Sequence, residues 1–172
     1  MSSAAFERSF VRPRAGRTLI VGSRLYEGRE DRRGRYPPFP VCVGLDMQPG
    51  PGVDLVHDLE ERLVGSFDHV ECLSVLEHAR RPWLVAANIE RLLVPGGTLF
   101  VSAPFVHRVH AYPNDYFRFT PAGVESLFPG IVWEASRLVG PGIYDALRVA
   151  VIKVDDHPYL ARSASMCFGR RR

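Results

Sequence analysis

The chain has 172 residues, a formal net charge of +3, 46% hydrophobic residues and 24% charged residues. That length suits one domain around one core, and this composition excludes a disordered or fibrous protein. No apolar run reaches the roughly 18 residues of a membrane helix, and Cys42, Cys72 and Cys167 lack CxxC spacing, which indicates a reducing, cytoplasmic setting rather than a disulfide scaffold.

Arginine gathers at the start (Arg8, Arg12, Arg14, Arg17), in REDRRGR (Arg29 to Arg35) and in the terminal GRRR. These read as solvated tails and an exposed loop rather than a nucleic-acid surface. The expected organisation is a flexible arm over 1–16, one domain over 17–160 and a basic tail over 161–172.

The first element is RTLIVG, a short apolar run closed by Gly22, which predicts a buried strand. VCVGLD (Val41 to Asp46) and VDLVHD (Val53 to Asp58) predict two more strands, each ending on a carboxylate. FDHVECLSVLEH predicts a strand over His69 to Leu73 and a turn through Ser74 to His78. PWLVAANIERLLV follows as a helix, with Pro82 in its first turn and apolar residues at helical spacing. Pro95-Gly96-Gly97 stops it, and TLFVSAP is a further buried strand. FVHRVHAYPNDYFRF has no period and reads as a loop or lid. Thr120 caps a short helix begun by Pro121. VWEASRLV and LRVAVIKV close the chain as two strands.

Strands alternating with helices imply a mostly parallel sheet, and the closing pair implies an antiparallel addition. Ligands of such sheets lie outside the carboxyl ends of the strands, where Asp46 and Asp58 fall.

The succession VGLDMQ, HDLE, FDHVECLSVLEH, IERLLVPGGTLFVSAPF and YPNDYFRFT, over about Arg17 to Phe128, resembles the class I S-adenosylmethionine-dependent methyltransferases, in particular the small type-11 branch. The resemblance implies a single-domain Rossmann-like α/β sheet, mostly parallel with an antiparallel terminal strand, and S-adenosylmethionine as cofactor. It places Asp46 on the ribose hydroxyls, Asp58 and the Leu59 backbone at the adenine, and Cys72, Leu73 and Ser74 along the methionine arm. Gly22, Ser23 and Met47 complete the implied cofactor set. Asp46 also suits a turn at a strand end, and Asp58 equally suits a cap for a helix beginning at Leu59. The first motif departs from the family. IVGSRLYEGREDRRGRYPP replaces the acidic residue and GxGxG, with Ile20 where the carboxylate usually stands.

Methyl transfer is an in-line displacement that needs positioning and a dry pocket, with a base where the acceptor is a hydroxyl. His107, His110, Tyr112, Asp115 and Tyr116 are available in the loop after the fifth strand. His110 is the leading base, with Asp115 to orient it and Tyr112 to wall the acceptor. The same residues also suit a hydrogen-bonded lid that moves no proton. Arg118, after Tyr116 and Phe117, suits binding an anionic acceptor or the methionine carboxylate, and best suits stacking on a ring to hold the lid. The HxxH pair His107 and His110 lacks a cysteine or carboxylate framework, so no metal is expected. The implied function is methyl transfer, at oxygen, to a small-molecule or glycan-linked acceptor, with a homodimer or partner subunit as the possible assembly. The rival readings are a catalytically silent methyltransferase-like scaffold and a dinucleotide enzyme, the latter without its GxGxxG.

Overall fold

The computed structural model describes residues 6, 9, 16–26, 28, 31–35, 41–110, 113–139 and 163–172. Seven strands form one sheet: β1 Thr18–Val21, β2 Cys42–Asp46, β3 Leu55–Val56, β4 Phe67–Leu73, β5 Leu93–Val106, β6 Ile131–Val139 and β7 Ser163–Arg171. Their order is β3-β2-β1-β4-β5-β7-β6. β1 to β5 run parallel, and β7 lies antiparallel between β5 and β6.

Helix α1 (Pro82–Leu92) starts on Pro82 and buries Val85, Ala86, Ile89 and Leu92. These meet Leu19, Val21, Val70, Cys72, Leu99 and Val101, whose alternation along the strands directs them to one sheet face. Buried Asn88 donates to the carbonyls of Leu59 and Glu61, at 2.8 and 2.9 Å, so the same helix fixes the turn after β3. After α1 the chain enters β5 at once, but the Pro-Gly-Gly segment leaves the ladder. Leu93 pairs with Phe67, and pairing resumes at Thr98 with His69. Gly96, at φ +76°, takes a backbone conformation that favours glycine. Helix α2 (Pro121–Leu127) is capped by the Thr120 hydroxyl, which accepts from Gly123 N at 3.0 Å.

The other sheet face carries Phe6, Phe100, Val139, Met166 and Phe168. Phe6 lies within the segment expected as an arm; it is fully buried and its ring stacks on Phe100. The segment expected as a basic tail holds β7. Met166, Cys167 and Phe168 are buried there, while Arg170 and Arg171 reach Glu134 and the Leu93 carbonyl. Three apolar residues inside the sheet outweigh the arginines that follow. The strand expected over LRVAVIKV lies outside the described residues. The strand expected over Val53 to Asp58 is shorter, limited to Leu55–Val56. Between β1 and β2 the described residues hold a short 3-10 turn, Arg32–Arg35, rather than a full helix. Arg32 Nε donates to Glu71 of β4 at 2.7 Å, and Glu71 is completely buried. No helix among the described residues is long and apolar enough to cross a membrane.

Candidate functional site

The strand order reverses direction between β1 and β4, so the crevice outside the carboxyl ends of β1, β2 and β4 is the expected ligand position. Gly22 ends β1 at φ +72°, and its N–H donates to the Leu45 carbonyl at 2.8 Å. A Cβ there would stand 2.5 Å from Val75 Cγ2, so the first loop and the loop after β4 touch across this glycine. Ser23 N also donates to Leu45 O, and its buried hydroxyl has no hydrogen-bond partner among the described residues. Asp46 ends β2. One carboxylate oxygen accepts from Arg24 N at 3.2 Å, the other from Gln48 N at 3.0 Å. Two backbone amides thus hold the carboxylate and leave each oxygen a further lone pair.

The remaining residues expected on the cofactor side divide. Met47 is exposed beside Asp46. Asp58 is exposed and accepts from Glu60 N at 2.9 Å, forming a tight turn rather than a helix cap. Leu59 is buried below it. Cys72 and Leu73 point to opposite sheet faces, Cys72 into the α1 core and Leu73 against the Phe6–Phe100 cluster. Burial also pushes the Cys72 thiol far above its ordinary range. Ser74, exposed at φ +53°, is the sole non-glycine with positive φ among the described residues. Strain of this kind costs on the order of 1–2 kcal/mol and concentrates at functional sites.

Beyond Ser74 a second 3-10 turn, Leu76–His78, carries Glu77 and His78 against the loop that follows β5. The Glu77 carbonyl accepts from Tyr116 N at 2.7 Å, which seats that loop. The Glu77 carboxylate is fully buried, and neither oxygen has a hydrogen-bond partner on another of the described residues. Burial, with Asp115 nearby, pushes its pKa up to about 7 against the opposing pull of its own backbone N–H and of Arg118. His78 Nε2 lies 3.7 Å and His110 Nε2 3.9 Å from Glu77 Oε1.

His110 and Asp115 meet as expected from the sequence: Asp115 Oδ2 accepts from His110 N at 2.7 Å and faces His110 Nδ1 at 3.0 Å. Arg118 grips both Asp115 oxygens, at 2.5 and 2.7 Å, and its hydrogen bonds hold that carboxyl well below the usual range. An ionised carboxylate only accepts, so the His110 proton sits on Nδ1 and Nε2 presents a lone pair. Burial lowers the His110 pKa, His107 and His78 add to this, and Asp115 opposes it. His107 and His78 ring centroids stand 4.6 and 4.9 Å from that of His110. Tyr112 lies outside the described residues. Glu77 is the residue that sequence reasoning passed over, although its signal was present: an acid directly before His78 and after the apolar Val75-Leu76.

A parallel sheet in this order, with a reversed last strand and an acid ending β2, defines the class I methyltransferase fold. The family model described as "Methyltransferase domain" matches residues 45–101. A ubiquinone biosynthesis O-methyltransferase from Dechloromonas aromatica is 45% identical over 89 residues, which cover 50% of this chain and 36% of that protein. The chain spans about a fifth to about a third of the length of the curated relatives it matches. Among solved structures, an S-adenosylmethionine-dependent methyltransferase from Mesorhizobium loti superposes with a TM-score of 0.68 at 14% identity, covering 98% of this chain and 96% of that one. The N-methyltransferase NodS from Bradyrhizobium japonicum, solved with S-adenosyl-L-homocysteine, superposes with a TM-score of 0.64 at 11% identity, covering 91% and 79%. The chain thus has the class I methyltransferase fold, and its central segment, residues 45–101, is similar to the methyltransferase domain family.

Proposed function

We propose that the protein is an S-adenosylmethionine-dependent methyltransferase that methylates a hydroxyl of a small-molecule or glycan-linked acceptor. The observation that carries this reading is the adjacency, through Ser74 to Glu77, of the strand ends to a cluster of proton acceptors, Glu77, His78 and His110. Asp46 would receive the ribose hydroxyls, Gly22 and Ser23 would pass the methionine arm, and Met47, Asp58 and Leu59 would border the adenine. Choice of oxygen rests on the acceptor side: His110 Nε2, with Asp115 behind it, offers a hydroxyl proton a destination. The proton moves to Nε2, the oxygen takes the methyl and the sulfonium becomes a neutral thioether. The covering loop would exclude water. The O-methyltransferase name of the curated relatives supports oxygen over a part of the chain only.

A silent scaffold subunit is the rival, favoured by the departure of the first motif, IVGSRLYEGREDRRGRYPP, from an acidic residue and GxGxG. Calorimetry with S-adenosylmethionine, S-adenosyl-L-homocysteine and NAD separates the readings: binding of the first two supports the methyltransferase, NAD alone supports a dinucleotide enzyme, and none supports the scaffold. The free thiols Cys42, Cys72 and Cys167 fit a cytoplasmic location, and a homodimer or partner subunit would supply acceptor recognition beyond this domain.

A further inference from the structure

Glu77, His78 and His110 turn a carboxylate oxygen and two imidazole Nε2 atoms toward one another. We propose that they bind one divalent transition-metal ion of the zinc type, through a Glu77 carboxylate oxygen, His78 Nε2 and His110 Nε2. The ligand atoms all lie within 4.8 Å of one another, and both imidazoles stand 3.7 and 3.9 Å from Glu77 Oε1. Tetrahedral bonds of about 2.1 Å separate donor atoms by roughly 3.4 Å, so a small contraction completes the set.

Three features fit a cation. A fully buried carboxylate that meets no hydrogen-bond partner on the other described residues is costly, and an ion would supply one. Both histidines are already set for ligation. The Asn114 carbonyl faces His78 Nδ1 at 2.5 Å and the Asp115 carboxylate faces His110 Nδ1, so each Nδ1 holds the proton and each Nε2 is bare. Such outer partners are what orient metal-bound imidazoles. Charge fits as well: Arg118 is spent on Asp115, which leaves Glu77 as the local anion. Two imidazoles and one carboxylate favour a borderline transition metal over magnesium or calcium and leave an open position. The HxxH pair did not disclose the site because its ligands come from two loops, Glu77 and His78 on one and His110 on the other.

The ion's catalytic part, unlike its binding, rests on the methyltransferase reading. With the ion bound, His110 would serve as ligand, and an acceptor hydroxyl in the open position would release its proton to water before taking the methyl. The base role of His110 belongs to the metal-free site.

The test is titration of chelator-treated full-length protein with cobalt(II) chloride, read by visible absorption, with zinc(II) chloride in competition. One equivalent of cobalt should bind with bands of four- or five-coordinate geometry, and zinc should displace it. Glu77→Gln and His110→Asn should each weaken binding roughly tenfold or more while circular dichroism stays unchanged. His110 is part-exposed, so its variant decides the matter should Glu77→Gln fail to fold. Absence of a cobalt complex, or wild-type affinity in His110→Asn, overturns the site. S-adenosyl-L-homocysteine calorimetry on the same samples separates this failure from failure of the methyltransferase reading, since either ligand can bind without the other.

Discussion

Replacing Asp46 tests the cofactor assignment at one side chain. Its carboxylate is held by Arg24 N and Gln48 N, at 3.2 and 3.0 Å, and sits half-buried at the end of β2. The lone pairs left over would accept two ribose hydroxyls, and hydrogen bonds to a charged group are each worth about 1.5–3 kcal/mol. Because Asp46→Ala admits water to the emptied space, a net loss near one such bond is expected. That is roughly a ten- to hundredfold fall in S-adenosyl-L-homocysteine affinity. Asp46→Asn keeps the shape but turns an N–H donor toward one of the two backbone amides, so it should also bind more weakly than wild type. Isothermal calorimetry gives the affinities, and thermal melts check that both variants fold. Wild-type affinity in a folded Asp46→Ala protein would refute the ribose assignment.

Three further expectations follow from the same geometry. Gly22→Val places a Cβ 2.5 Å from Val75 Cγ2 at φ +72°, so calorimetry should find cofactor binding abolished; a folded variant with normal affinity would limit Gly22 to packing. His110→Ala should lower turnover strongly and leave cofactor affinity within a few-fold, with a loss that shrinks as rising pH ionises the hydroxyl unaided. Undiminished turnover across pH would sink the acceptor-side role. Asp115 has its carboxyl held below the ordinary range by Arg118, so its stabilisation is present above the unfolded value of about 4 and is lost as pH falls through the folded value. Urea unfolding of Asp115→Asn should show a deficit of about 1.5–3 kcal/mol at pH 7 that narrows toward pH 3, and an equal deficit at both would contradict the ion-pair account.

Much of the fold was legible because local chemistry and tertiary position agree. Asp46 ends its strand, Pro82 opens α1, and Thr120 with Pro121 starts α2 as their capping chemistry predicts. The closing strand was not legible, since Met166 to Phe168 are only three apolar residues beside a run of arginines, and their burial depends on a slot between β5 and β6. The site was half legible. His110 with Asp115 is a short-range pair within one loop. Glu77 depends on that loop folding back so that Tyr116 N reaches its carbonyl, a contact no local pattern announces. Cys72 and Leu73 were placed by their position at a strand end, but the alternation of β4 sends both side chains into the cores.

The most direct measurement is calorimetric titration of the unmodified protein with S-adenosyl-L-homocysteine, with NAD as the control ligand. One site per chain for S-adenosyl-L-homocysteine, weakened in Asp46→Ala, together with no heat from NAD, is the expected result. No binding of S-adenosyl-L-homocysteine by folded protein, with or without added divalent metal, would contradict a working methyltransferase at this crevice.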